Sequence, residues 1–184
     1  HGCLVGSEMC IRDSIDIGKI KELREIKIED GYLSIGAMSS HSKVMSNKDV
    51  NEVLPILCKI LSQVAHPAIR NKGTHGGSVA YGDPAAELPA FAVLVDAQIV
   101  LSGSSGERIV SAKEFYKGLF ETSINPDEIL TSVKYPINQN NKQLFFDEIT
   151  RRHGDYAMAG LVGSIKQKSN INEAVSYTHL RAHE

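Results

Sequence analysis

The dipeptide Asp30-Gly31 lies between two short runs of alternating apolar and polar residues in EIKIEDGYLSIGAM, residues 25–38. Asp-Gly suits the positive φ angles at the centre of a type I′ turn, so this stretch predicts a tight antiparallel hairpin. AQIVLSG and ERIVSA repeat the arrangement around a Ser-Ser-Gly turn. EILTSVKYP reads as a further strand ended by Pro136, and LFFDEITRR and YAMAGLVGSIKQK as two more. Helical stretches are interspersed among these hairpins without a regular βα alternation. That order predicts an α+β fold with a mixed or antiparallel sheet and flanking helices, not a doubly wound parallel sheet.

The helical stretches carry their own signals. SSHSKV offers Ser39 or Ser40 as an N-cap. Val50, Val53, Leu54, Leu57, Cys58, Leu61, Val64 and Ala65 recur at helical spacing, predicting an amphipathic helix of about 15 residues. Pro55 stands either near its true start or at a kink. PAAELPAFAVLVDA reads as a helix and SAKEFYKGLF as a short one. INQNNK is polar and turn-rich and marks the best candidate domain boundary.

Charge and composition exclude some function classes. A net charge of -2 and a pI near 6.4 argue against a nucleic-acid-binding face. No apolar run reaches the roughly 18 residues of a membrane span, and nothing resembles a signal peptide, so a cytoplasmic location is expected. Cys3, Cys10 and Cys58 form no C-x-x-C pair, which argues against zinc or iron–sulfur ligation within this chain. His41, His66 and His153 lack the spacing of a zinc site. CLVGSEMCIRDS (3–14) and VSYTHLRAHE (175–184) show neither period and resemble peptides translated from sequencing adapters. Residues 1–14 and 175–184 are accordingly read as non-native ends.

The segment IRNKGTHGGSVAYGDPAAELPA, residues 69–90, holds the candidate site. Gly76 and Gly77 let a ligand approach the main chain, and their backbone N–H groups could form a nest for an anion such as phosphate. Thr74 and Ser78 add hydroxyls, and the helix start near PAAEL would favour the same charge. Glu87, further along, is suited to accept hydrogen bonds from ribose or ribityl hydroxyls. Arg70 and Lys72 could steer an anionic cofactor or equally form a solvated face. The spacing is neither that of a P-loop nor G-x-G-x-x-G, so the residues alone favour an ordinary glycine-rich connection over a phosphate site.

The segment resembles the flavin-binding segment of the molybdenum-hydroxylase flavoproteins, the medium, FAD-binding subunits of the aerobic carbon monoxide dehydrogenase and xanthine dehydrogenase family. The family pattern is close to R-N-x-G-T-[apolar]-G-G-[SN]-x-x-x-x-D-P-A-[AS]-[DE]-L-P. IDIGKIKELREIKIEDGYLSIGAMSSHSKV upstream and FFDEITRRHGDYAMAG downstream extend the likeness. It implies a PCMH/VAO-type FAD-binding domain over residues 15–137, followed over 142–174 by the start of the family's C-terminal flavoprotein domain. It implies FAD as cofactor, contacted by Thr74, His75, Gly76, Gly77, Ser78 and Glu87, with Leu130 and Val64 nearby. His75 replaces a more usual aliphatic residue and could either tune the flavin or fill space. The family's first glycine-rich diphosphate loop would precede Asp16 and is absent from this sequence.

The resemblance further implies an electron-transfer role without an acid–base catalyst in this chain. Its partners would be a molybdopterin-bearing large subunit and a [2Fe-2S] small subunit. Two rivals remain: a flavin oxidase acting directly on substrate, and a non-catalytic nucleotide-binding module. In RRHGDYA, Asp155 is expected to be structural, bonded to backbone or arginine at a domain junction.

Overall fold

The computed structural model describes residues 15–137, 142–168 and 171–180, with side chains described up to residue 165. The end segments 1–14 and 181–184, most of INQNNK, and the side chains of 166–184 lie outside the described residues.

Strand β1 (Ile26–Glu29) and strand β2 (Tyr32–Gly36) form the expected hairpin. Its turn places Asp30 at φ 50° and Gly31 at φ 79°, as a type I′ turn requires. Strand β3 (Gln98–Gly103) and strand β4 (Gly106–Ser111) form the second. The long strand β7 (Glu128–Pro136) lies between the hairpins, giving one antiparallel sheet in the order β1-β2-β7-β3-β4. Opposite residues share a face, so the registers Ile35–Val133–Ile99 and Leu33–Tyr135 line up one buried apolar surface. A bulge at Thr131 lets Leu130 stay on that face opposite Leu101.

Helix α1 (His41–Ser46) is capped by Ser40, whose Oγ accepts from the Lys43 N–H. Ser39 is buried instead. The helix predicted as one unit of about 15 residues divides into α2 (Lys48–Val53) and α3 (Pro55–Gln63). Proline disfavours helical backbone in the residue before it, and Leu54 accordingly leaves the helix at φ -146°, ψ 59°. Pro55 is thus the first residue of α3, where its missing N–H is no loss. The apolar stripe survives the break: Val50, Leu54, Leu57, Ile60 and Leu61 are all buried. Helix α4 (Pro67–Arg70), helix α5 (His75–Tyr81) and helix α6 (Glu87–Leu94) follow. The turn before α6 is held by Asp83, whose Oδ1 accepts from Ala85 N–H, so the helix starts later than PAAE suggests.

Helix α7 (Ala112–Phe115) is a single turn, because the chain passes at once into the small hairpin of β5 (Tyr116–Gly118) and β6 (Glu121–Thr122). Strands β8 (Lys142–Ile149), β9 (Ala159–Lys168) and β10 (Ile171–Leu180) form a separate antiparallel sheet. That sheet packs on α3 and α6. Phe146 and Val162 belong to the same buried cluster as Leu57, Leu88 and Phe91, and Lys59 Nζ donates to the Phe146 carbonyl at 2.6 Å. Among the described residues, no helix is long and apolar enough to cross a membrane.

Candidate functional site

The THGGS segment is the start of a helix, not a loop. Thr74 is the N-cap of α5, its Oγ1 accepting from Gly77 N–H at 3.3 Å. The end of β2 approaches closely enough to take the preceding donors. His75 N–H donates to Ser39 O and Gly76 N–H to Ala37 O, each at 2.9 Å, and Ser78 N–H donates to Thr74 O. The anion nest expected from the sequence is therefore not formed, because protein acceptors already engage these four N–H groups.

The two glycines serve different needs. Gly76 is buried, and a Cβ there would overlap Ala37, so glycine permits the close crossing of α5 over β2. Gly77 is exposed on the opposite side; a Cβ there would meet Thr74 Oγ1 at 2.7 Å. Its bare surface faces outward.

His75 is fully buried beneath the helix, with Nε2 2.8 Å from the Tyr135 hydroxyl. Burial, with His41 nearby, pushes its pKa down to about 3, so the ring is neutral. Leu130 is likewise a core residue of the sheet.

A cleft of about 310 Å³ opens on the other side of α5. Val64, Ser78 and Glu87 line it, and Tyr81 and Asp83 extend the same wall. Asp155 and Tyr156 close it from the turn before β9. That turn is held against the α3–α4 connection at Gly154, where a Cβ would lie 2.7 Å from the Ala65 carbonyl and φ is +88°. Glycine is needed there on both counts. The Asp155 backbone N–H closes the turn onto the Arg152 carbonyl. That contact is made by the Asp155 main chain, not by the carboxylate for which a structural role was expected, and the residue stands on the cleft wall.

Of the eight predicted contact residues, the structure brings Val64, Ser78 and Glu87 to the cleft. Thr74 and Gly77 stand at the mouth of α5, while His75, Gly76 and Leu130 lie in the core. Arg70 is committed elsewhere: its Nη1 donates to the carbonyls of Ser62, Val64 and Ala65, capping the end of α3.

Burial raises the Glu87 carboxyl above the usual range, and Asp83 adds to the effect. Glu148 of β8 is pushed up to about 7 by burial and by the charges of Glu87 and Asp147. Both its carboxyl oxygens are buried without a protein partner, and it shares a small apolar cavity with Glu87. Sequence reasoning missed Glu148, although alternation along FFDEI places it on the face of buried Phe146.

The chain matches the family described as the FAD binding domain in molybdopterin dehydrogenase over residues 4–138. It is 40% identical over 146 residues to the 6-hydroxypseudooxynicotine dehydrogenase complex subunit alpha of Paenarthrobacter nicotinovorans, covering 79% of this chain and 49% of that protein. Quinoline 2-oxidoreductase from Pseudomonas putida 86 superposes with a TM-score of 0.83 at 36% identity, covering 89% of this chain and 57% of the other. Carbon monoxide dehydrogenase from Hydrogenophaga pseudoflava gives a TM-score of 0.84 at 30% identity, covering 93% and 62%. The chain spans about half the length of the curated relatives it matches. With the family matched over most of the chain and the fold shared with these oxidoreductases, the chain belongs to the FAD-binding domains of the molybdopterin dehydrogenases.

Proposed function

We propose that this chain is the FAD-binding, electron-transferring part of a molybdenum-containing hydroxylase or dehydrogenase. Electrons would arrive from [2Fe-2S] clusters on a small subunit and originate at a molybdopterin-bearing large subunit, then leave to an external acceptor. The observation that carries this reading is the cleft that joins Ser78, Glu87 and Val64 from three separate elements. Its volume sits at the lower end of the roughly 300–1,000 Å³ of small-molecule pockets, so it fits part of an extended dinucleotide.

The fit is chemical as well as spatial. Ser78 presents a hydroxyl, and Glu87 and Asp83 present carboxyl oxygens that accept from sugar or ribityl hydroxyls. Val64, Leu88 and Tyr81 supply apolar wall, and Gly77, next to Ser78 and exposed, leaves its backbone uncovered. A bound flavin supplies the redox chemistry, while the protein binds, orients and shields it. Thr74 supports the site by capping α5, whereas His75, Gly76 and Leu130 act from the core by fixing where α5 sits.

Residues 15–137 would form the FAD-binding unit and 142–174 the opening of the next. The change of sheet between β7 and β8, and a family match ending at residue 138, support that division. A cytoplasmic site of action goes with this reading, and Cys58, the cysteine among the described residues, is a free thiol. The rival in which a histidine of the glycine segment links covalently to flavin is disfavoured by the burial of His75 against Tyr135. Purification of the complete subunit with its partners tests the proposal: the protein should be yellow and release FAD on denaturation. A colourless, folded protein that takes up no added FAD overturns it.

A further inference from the structure

His41 is the first residue of α1, yet its side chain serves α5. The backbone N–H of His41 donates to the Gly73 carbonyl at 3.1 Å. Its ring lies over Gly73, where a Cβ would already be 3.0 Å from Cδ2. The ring is almost completely buried, and Nε2 stands 3.2 Å from Ser78 Oγ. Nδ1 is buried with no protein partner. Burial and the Arg70 charge hold the pKa down at about 4, so at neutral pH the ring carries one proton for two nitrogens.

The two tautomers are unequal. A proton on Nδ1 would leave a buried N–H donor unpaired, and orphaned N–H groups are rarer in folded proteins than under-used acceptors. A proton on Nε2 is paired at once with Ser78 Oγ and leaves only a lone pair on Nδ1. Ser78 then accepts from His41, and its own hydroxyl hydrogen is free to point away from the ring. Because Ser78 lines the cleft, that hydrogen has the cleft as its outlet.

We propose that His41 is a positioning residue: by donating from Nε2 it makes Ser78 a hydrogen-bond donor into the cleft, so that the ligand group seated there is an acceptor oxygen. A phosphate oxygen and a ring carbonyl of a flavin both have this chemistry. The inference rests on the flavin reading above and deepens it. It assigns a role in the site to a residue of a different helix, 37 positions away from the serine it orients.

The test is a double-mutant cycle read by FAD affinity in the complete subunit. Loss of one such hydrogen bond corresponds to about tenfold weaker binding, so Ser78→Ala and His41→Leu should each lose about tenfold. The double variant should lose no more than either single, because His41 acts only through Ser78. His41→Gln, whose side-chain amide places a donor near the Nε2 position, should bind within about threefold of wild type. His41→Asn, whose shorter amide cannot reach Ser78, should behave as His41→Leu and replaces it in the cycle if the leucine variant fails to fold.

Competition by ADP separates the two acceptors. A matching loss of ADP affinity in the histidine variant assigns the oxygen to phosphate, and a loss confined to FAD assigns it to the flavin portion. Either supports the proposal. Additive losses in the double variant, or unchanged FAD affinity in both His41→Leu and His41→Asn, overturn it while leaving the flavin reading intact. A wild-type subunit that binds no FAD overturns both.

Discussion

The two sides of helix α5 use the same kinds of side chain to opposite ends. On the sheet side, the fully buried His75 and Tyr135 pair through Nε2 and the hydroxyl, while His75 Nδ1 is left without a protein partner, and Gly76 lets the helix settle directly on Ala37. On the cleft side, His41 and Ser78 form a similar pair, but the serine keeps an open flank to the cavity, and Gly77 is uncovered. A closed polar pair fixes where the helix sits. A half-open one gives it a means of contacting something else. The contrast teaches that a histidine in a binding motif need not touch the ligand, and that one from a distant helix, itself buried, can act on the site through a serine.

The comparison breaks most readily at the glycines. Gly76→Val should give the largest effect. Even a Cβ collides with Ala37, and overpacking of this kind costs about 1–3 kcal/mol or more. Little folded protein is expected, as judged by circular dichroism and denaturant unfolding, with or without added FAD. Gly77→Val should fold, losing about 1 kcal/mol as the Thr74 cap is displaced, but should retain no flavin. Full flavin content in a folded Gly77→Val subunit would place the ligand away from α5.

Tyr135→Phe probes the closed pair alone. It removes the partner of His75 Nε2 and should cost about 1–2 kcal/mol in unfolding free energy. FAD affinity should be unchanged; a loss equal to that of Ser78→Ala would erase the distinction between the two sides.

The smallest effect is a pH slope. Glu148 has its folded pKa raised from 4.5 to about 7, so as pH rises the unfolded chain gives up this proton first. Its contribution to stability is fully present below about pH 4.5, falls between there and about pH 7, and levels off above. Glu148→Gln should lack this slope and gain stability relative to wild type at pH 8. Parallel pH profiles of the two proteins in denaturant titrations would remove Glu148 from the account.

Much of this arrangement was legible in the sequence, though unevenly. Asp30-Gly31 fixed the first hairpin because so few residues tolerate those φ angles. Pro55 announced a helix boundary, although spacing alone could not distinguish a start from a kink. Ser78 and Glu87 could be placed at one site from the glycine segment itself, whereas Val64 joined them only through the family resemblance, since nothing local brings the end of α3 to α5 and α6. The occupied N–H groups of the glycine segment were not legible at all. They depend on Ser39 and Ala37 arriving from the end of β2, a tertiary approach that leaves no trace in the spacing of THGGS. His41 was set aside for lacking metal-ligand spacing, and its partner is a serine that resemblance had already assigned to the ligand.

The bridge from Lys59 to the Phe146 carbonyl, with Phe146 and Val162 buried among residues of α3 and α6, has a consequence for how the molecule comes apart. The chain changes sheets between β7 and β8, but the hydrophobic cluster does not stop there. Removing β8 and β9 would expose one flank of α6, including the side of Glu87 turned away from the cleft. A chain broken between β7 and β8 should therefore keep its two parts together and still melt in one cooperative step.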